Sequence, residues 1–227
     1  MYYTAGYYLI IPKHERGTVN GYTYTSRTWS VSRYVSYVYP DAEWGLSWLY
    51  SKRQFAKVKN FKPDATALAA LHSWTEQEYE QSNYGYPGFF TSLAKALEFK
   101  KLFLASLPQV QLLGLFLDEN FYPAALEQTQ AYPSVALDLH RLLQRRLPEP
   151  DAGSVIGYDL LGLLDLGGFE PFSYHVLEQE YHQHFGITLN EYGLFLNQAD
   201  CQRVTAYTDQ IADEPATWFP FKVKLFA

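Results

Sequence analysis

The sequence predicts an α+β protein, with an antiparallel sheet at its N-terminal end and helices packed against that sheet. Two observations carry this expectation. The first forty residues are rich in Tyr, Thr and Val, the residue types that suit a pleated, half-buried surface. Beyond them, helix-like and strand-like segments follow in no regular βα alternation, which favours α+β over a doubly wound fold. The 227 residues, 48% hydrophobic and 19% charged, are those of a chain able to bury a normal core. They are read as one domain over residues 1–227, with a single candidate subdomain break at 148–153.

The elements follow in order. Tyr7 to Ile11 is a β-rich run that Pro12 is expected to stop, with Lys13 to Gly17 as a polar turn. Val19 to Thr25 and Thr28 to Tyr39 continue the β composition, the latter alternating Ser-rich and bulky faces. Ala42 to Val58 is a candidate helix interrupted by Gly45. Asp64 is a good N-cap for Ala65 to Gln81, with Leu68, Leu71 and Trp74 inward and Glu76, Glu78 and Glu80 in solvent. After a Gly/Asn/Pro loop, Thr91 or Ser92 caps a helix to about Ala105, with Leu93, Ala96, Leu97 and Leu104 inward. Val110 to Leu117 is nearly all apolar and reads as a central strand.

Ser134 caps a helix to Leu147, and Pro148-Glu-Pro-Asp-Ala-Gly153 breaks the pattern. Val155 to Leu164 is a strand. A helix from Ser173 to Phe185 is stopped by Gly186, Asn197 caps a helix from Gln198 to about Ala212, and Phe221 to Phe226 is a closing strand. The sequence suggests no internal repeat.

Charge is split between the ends. Residues 1–62 hold nine Lys/Arg and three Asp/Glu (9 − 3 = +6), and the remainder holds nine and twenty-one (9 − 21 = −12). Ten of the twenty tyrosines lie in the basic part. Arg27, Arg33, Lys52, Arg53, Lys57, Lys59 and Lys62 could meet phosphates, but the −12 remainder repels a polyanion, so nucleic acid is the weaker reading. One cysteine, Cys201, excludes an intrachain disulfide. No apolar run approaches the ~20 residues of a membrane helix, so a soluble, cytoplasmic protein is expected.

Catalytic signals are weak. His175, Glu178 and His182 share a helix face, but at i, i+3 and i+7 two turns separate the ends, so one metal is not easily reached from both without a bend or other ligands; a solvated polar face is the better reading, and no cofactor or metal is expected. Gly162 to Gly168 lacks the residues of a phosphate-binding loop. Cys201 sits inside a predicted helix and reads as a buried thiol. The most enzyme-like segment is Tyr84-Gly-Tyr-Pro-Gly-Phe-Phe-Thr-Ser92, a loop leading into a helix start. Its Phe-Thr-Ser part is distantly similar to the Ser-Thr-Ser strand of ADP-ribosyltransferases, whose pattern would also need Arg27 or Arg33 and a Glu such as Glu119. A transferase or hydrolase built on this loop is the enzymatic alternative.

One further resemblance covers residues 155–226. Val155-Ile-Gly-Tyr-Asp159-Leu-Leu-Gly, then Gly167-Gly-Phe-Glu-Pro-Phe-Ser-Tyr-His175, Phe185-Gly-Ile-Thr-Leu-Asn190-Glu-Tyr-Gly193-Leu and Trp218-Phe-Pro-Phe221 resemble bacterial immunity proteins of polymorphic-toxin loci. The resemblance implies a non-enzymatic inhibitor of a cognate, basic toxin domain. The acids Asp159, Asp165, Glu170, Glu178, Glu180 and Glu191 would supply complementary charge, with Phe169, Phe172 and Tyr174 as aromatic anchors.

Overall fold

A computed structural model describes residues 1–19, 22–30, 64–85, 89–107, 109–131, 133–164, 169–170, 177–211 and 216–226. Among them are eight strands: β1 (Tyr2–Val19), β2 (Tyr22–Ser30), β3 (Tyr84–Gly85), β4 (Phe89–Phe90), β5 (Gln111–Asp118), β6 (Ser154–Leu164), β7 (Phe169–Glu170) and β8 (Ala216–Phe226). Six helices join them: α1 (Ala65–Glu80), α2 (Leu93–Phe103), α3 (Tyr122–Ala131), α4 (Pro133–Gln144), α5 (Glu178–Phe185) and α6 (Gln198–Ile211). The expected α+β class holds. The sheet is antiparallel throughout, in the order β3-β4-β1-β5-β8-β6-β7, with β2 also on β1. Four long strands, β1, β5, β8 and β6, form its centre.

Alternation along these strands splits the core in two. Tyr8, Leu113, Leu115, Leu161, Phe219, Phe221 and Val223 face one way and pack on α3 and α4 through Tyr122, Ala125, Leu139, Leu142 and Leu143. On the other face there are two separate clusters. Tyr7, Leu9, Leu112 and Phe116 pack with Leu71, Ala96 and Phe99 of α1 and α2. Leu160 and Trp218 pack with Tyr181, Cys201 and Val204 of α5 and α6.

Those two clusters belong to two equivalent halves, which corrects the expectation of no internal repeat. In one half Gly6 of β1 lies opposite Leu115 of β5; in the other Gly157 of β6 lies opposite Val223 of β8. Leu115 and Val223 then pair with each other, flanked by Gly114↔Lys224 and Phe116↔Lys222. Exchanging the halves maps this ladder onto itself, so a pseudo-twofold axis passes through the Leu115/Val223 pair. Each glycine follows an irregularity in the ladder, between Thr4 and Gly6 and between Val155 and Gly157, and each has positive φ, 127° and 153°. The tyrosine after each glycine pairs with a phenylalanine, Tyr7↔Phe90 and Tyr158↔Phe195, and each phenylalanine leads into a helix, α2 or α6. Phe90 and Phe195, Ala96 and Cys201, Phe99 and Val204 are matching, fully buried pairs. The helices before them share the word Glu-Gln-Glu-Tyr, at 76–79 and 178–181. The helices α3 and α4 lie between the halves in sequence.

Other expectations need correction. β1 runs through Pro12, with an irregularity between Pro12 and Glu15, where a stop and a turn were expected. Pairing with β5 ends at Ile10, so Pro12 sits where β1 has one neighbour and its missing N–H breaks no ladder bond. Val19 pairs directly with Tyr22, and the Asn20-Gly21 between them in sequence is a strong hairpin signal. No element was expected at α3, whose buried stripe of Tyr122, Ala125 and Thr129 contains one large apolar residue and so gives a faint pattern. Glu78, expected in solvent, is 2% exposed and bonds to Lys95 (2.6 Å) and Asn83 (2.8 Å), while Leu97, expected inward, is exposed. The caps behave unequally: Asp64 accepts from the Ala67 N–H and Asn197 from the Asp200 N–H, each at 2.8 Å, whereas Ser92 makes no side-chain cap bond. Gly186 ends α5 in the left-handed conformation, as expected. The expected strand beyond Ser30 and the helix Ala42 to Val58 lie outside the described residues.

Candidate binding surface and the charged centre of the sheet

A strand in the middle of a sheet normally carries apolar side chains, yet β8 carries Lys222 and Lys224 on the face between the two smaller clusters. Lys224 is 5% exposed. Both cations are satisfied by one segment. The chain leaves α4 on one face of the sheet, passes the start of β1, and returns across the other face as a strap ending at β6. Along it the Thr4 N–H donates to the Leu147 carbonyl (2.8 Å), and the Glu149 N–H donates to the Tyr2 carbonyl (3.0 Å). The Glu149 carboxylate then accepts from Lys222 at 2.6 Å and lies 3.2 Å from Lys224, which also donates to the Pro150 carbonyl at 2.7 Å. The strap is the segment expected to be a break. It is instead tied to the centre of the fold, because a buried ammonium requires a paired anion and hydrogen-bond acceptors.

Aromatic rings complete this centre. The Lys222 Nζ stands 3.3 Å from the centre of the Tyr2 ring, and Lys224 5.7 Å from that of Phe116. The Tyr2 hydroxyl donates to Gln198 Oε1 at 2.7 Å, at the start of α6. Burial, reinforced by the neighbouring Tyr158, Asp118 and Glu149, pushes the Tyr2 phenol well above its ordinary pKa. Burial also works against ionisation of Glu149, but the bonds and charges of Lys222 and Lys224 outweigh it and hold the carboxyl below its ordinary value. The centre is a closed ion cluster with its own counter-ion. Sequence reading missed Tyr2, Glu149, Lys222 and Lys224; two lysines alternating in an apolar terminal strand were the available signal.

The acids expected to form a partner surface fall in different places. Asp159 is fully buried in β6 and takes no part in a surface; a mid-strand position in a central strand explains why. Glu178 and Glu180 occupy the first turn of α5, both half-buried, where their charge favours the helix N-terminus. Glu191 is exposed, in a turn organised by Asn190, whose side chain accepts from the Tyr192 and Leu194 N–H groups and donates to the Ile156 carbonyl at 2.7 Å. Phe169 and Glu170 form β7, paired with Leu163 and Gly162. Asp165, Phe172 and Tyr174 lie outside the described residues.

The enzyme-like segments have structural explanations. The Tyr84 to Ser92 stretch contains the small β3/β4 hairpin, which closes on β1 through Phe90, while the Thr91 hydroxyl donates to the Ser82 carbonyl at 2.8 Å. Glu119 pairs with the amino terminus at 2.7 Å, at the end of β5. Cys201 is fully buried in α6, and burial raises its thiol well above the ordinary value, with Asp159 adding to the effect. His182 and Glu178 are on α5, but among the described residues no three metal-ligating side chains come together. No helix there is long and apolar enough to cross a membrane.

Comparison with known proteins finds no matching family model, no matching characterised protein and no matching solved structure.

Proposed function

We propose that this chain is a non-enzymatic protein-binding module, an inhibitor of immunity type that neutralises a cognate, basic toxin domain in the bacterial cytoplasm. The observation that carries the reading is the way charge is sorted. Residues 63–227 sum to −12, and two of their few cations, Lys222 and Lys224, are withdrawn into the sheet and locked onto Glu149. Three acids of this part, Glu78, Asp118 and Asp159, are buried as well, yet among its described residues exposed acids such as Glu76, Glu119, Asp151 and Glu191 outnumber exposed cations. Such a surface steers a basic partner and selects against acidic ones. Glu178, Glu180 and Glu191 are assigned to the contact; Asp165, Phe169, Glu170, Phe172 and Tyr174 belong to the same stretch of sequence.

The test is capture from source-cell lysate with tagged protein, at low and moderate salt, read by mass spectrometry. One stoichiometric basic protein supports the reading. Nucleic acid or a nucleotide co-purifying in its place would overturn it and return attention to the basic N-terminal part.

A further inference from the structure

The two halves treat the edge of their first strand differently. On β1 the strap runs antiparallel to Tyr2–Thr4: Leu147 and Glu149 bond to the backbone of Thr4 and Tyr2, and Pro148 lies opposite Tyr3. The pseudo-twofold axis equates Thr4, which is opposite Phe116, with Val155, which is opposite Lys224. It therefore equates Tyr2–Thr4 with Gly153–Val155, and the outward N–H of Thr4 with that of Val155. At that second edge no strap is present among the described residues. Residues 151–155 are exposed, and the Val155 side chain is 53% exposed although it begins a strand next to the centre of the sheet. Leu196 follows Phe195, the partner of Tyr158 further along β6, and is 70% exposed. Asp151, two residues before Gly153, is exposed, as is Glu191, which follows the Asn190 that donates to the Ile156 carbonyl.

We propose that the edge at Gly153–Val155, where the chain turns at Gly153 (φ 84°) into β6, is the docking site for an extended segment of a partner protein, added as an antiparallel strand in the place the strap takes on β1. Backbone bonds to Val155 and Gly153 would supply affinity independent of sequence, and side chains on alternate positions would supply selectivity. The segment places an apolar residue over Val155 and Leu196, and Lys or Arg beside Asp151 and Glu191. This rests on the protein-binding reading above and names where that partner attaches.

The test uses a displayed library of random heptapeptides selected against the full-length protein. The expected result is enrichment of sequences with an apolar residue flanked by Lys or Arg at alternate positions, whose synthetic forms bind at least tenfold more weakly to Val155→Pro. Proline removes the outward donor and is tolerated at an edge. Val155→Asp, which keeps the donor but sets a third acid beside the basic segment, is expected to weaken binding similarly and covers the case in which proline unfolds the strand. Failure to enrich such peptides, or equal binding to both folded variants, overturns the edge site. Either result leaves the lysate capture of a basic protein to decide the broader reading separately.

Discussion

Leu115 and Val223 face each other across the middle of the sheet, and each is also the partner of its own half's glycine, Gly6 and Gly157. The two halves therefore share one ladder, and the devices that shape one strand start recur in the other.

Gly157 shows how closely one of these strand starts is built. A Cβ on Gly157 would stand 2.7 Å from the Phe195 carbonyl oxygen and 2.8 Å from Leu194 Cβ, on a backbone at φ 153°. Gly157→Ala is expected to destabilise by more than the ~1–3 kcal/mol of a strained backbone alone. Gly186→Ala, at φ 68° with nothing within 4 Å of the added carbon, should stay within that range. Urea denaturation of the two variants checks the order.

Glu149 should make stability sensitive to acid. Its folded pKa lies below its ordinary value near 4.5. Between the two values the unfolded chain binds the extra proton, so the stabilisation is complete above the unfolded pKa and is lost as pH falls through the folded one. Glu149→Gln is expected to lower stability at pH 7 by up to about 3–5 kcal/mol, because it leaves Lys224 buried without its anion. It should also flatten the pH dependence below about 4.5 that the wild type shows. Denaturation midpoints from pH 3 to 7 measure both effects.

Cys201 occupies the position that Ala96 fills in the other half. Cys201→Ala should therefore be accommodated at a cost of about 1 kcal/mol, the scale of a small core truncation. The native thiol should not react with a thiol-specific chromogenic disulfide until the protein is unfolded. Rapid native labelling would contradict its burial.

The two equivalent helix starts should respond unequally. Asn197→Ala removes a side-chain cap and is expected to cost about 1 kcal/mol, whereas Ser92→Ala, where no such bond exists, should be nearly neutral. Thermal denaturation of both variants distinguishes them.

Much of the fold from β5 onward is legible in the sequence because its signals are local. Asn197, Gly186 and the apolar run of β5 each mark an element through its own chemistry. What stayed hidden depends on partners far along the chain. Pro12 reads as a stop until the pairing of β1 with β5 is seen to end at Ile10. Glu78 reads as solvated until Lys95 arrives from α2. The equivalence of the halves rests on Gly-Tyr and Glu-Gln-Glu-Tyr words separated by insertions of unequal length, so no fixed period betrays it. Glu149, in a segment whose prolines and glycine signal a loop, is recognisable as structural only once the two lysines of β8 are beneath it. The buried Asp159 reads as a surface acid in the sequence because composition does not distinguish the inside of a central strand from its edge.

The measurement that bears most directly on the central claim compares wild type with a Glu178→Lys, Glu180→Lys, Glu191→Lys variant in the same lysate capture, with circular dichroism confirming that the variant is folded. The account predicts that a basic protein retained stoichiometrically by the wild type is lost from the variant, and that its retention by the wild type weakens as salt rises. Undiminished capture by the folded variant would contradict it.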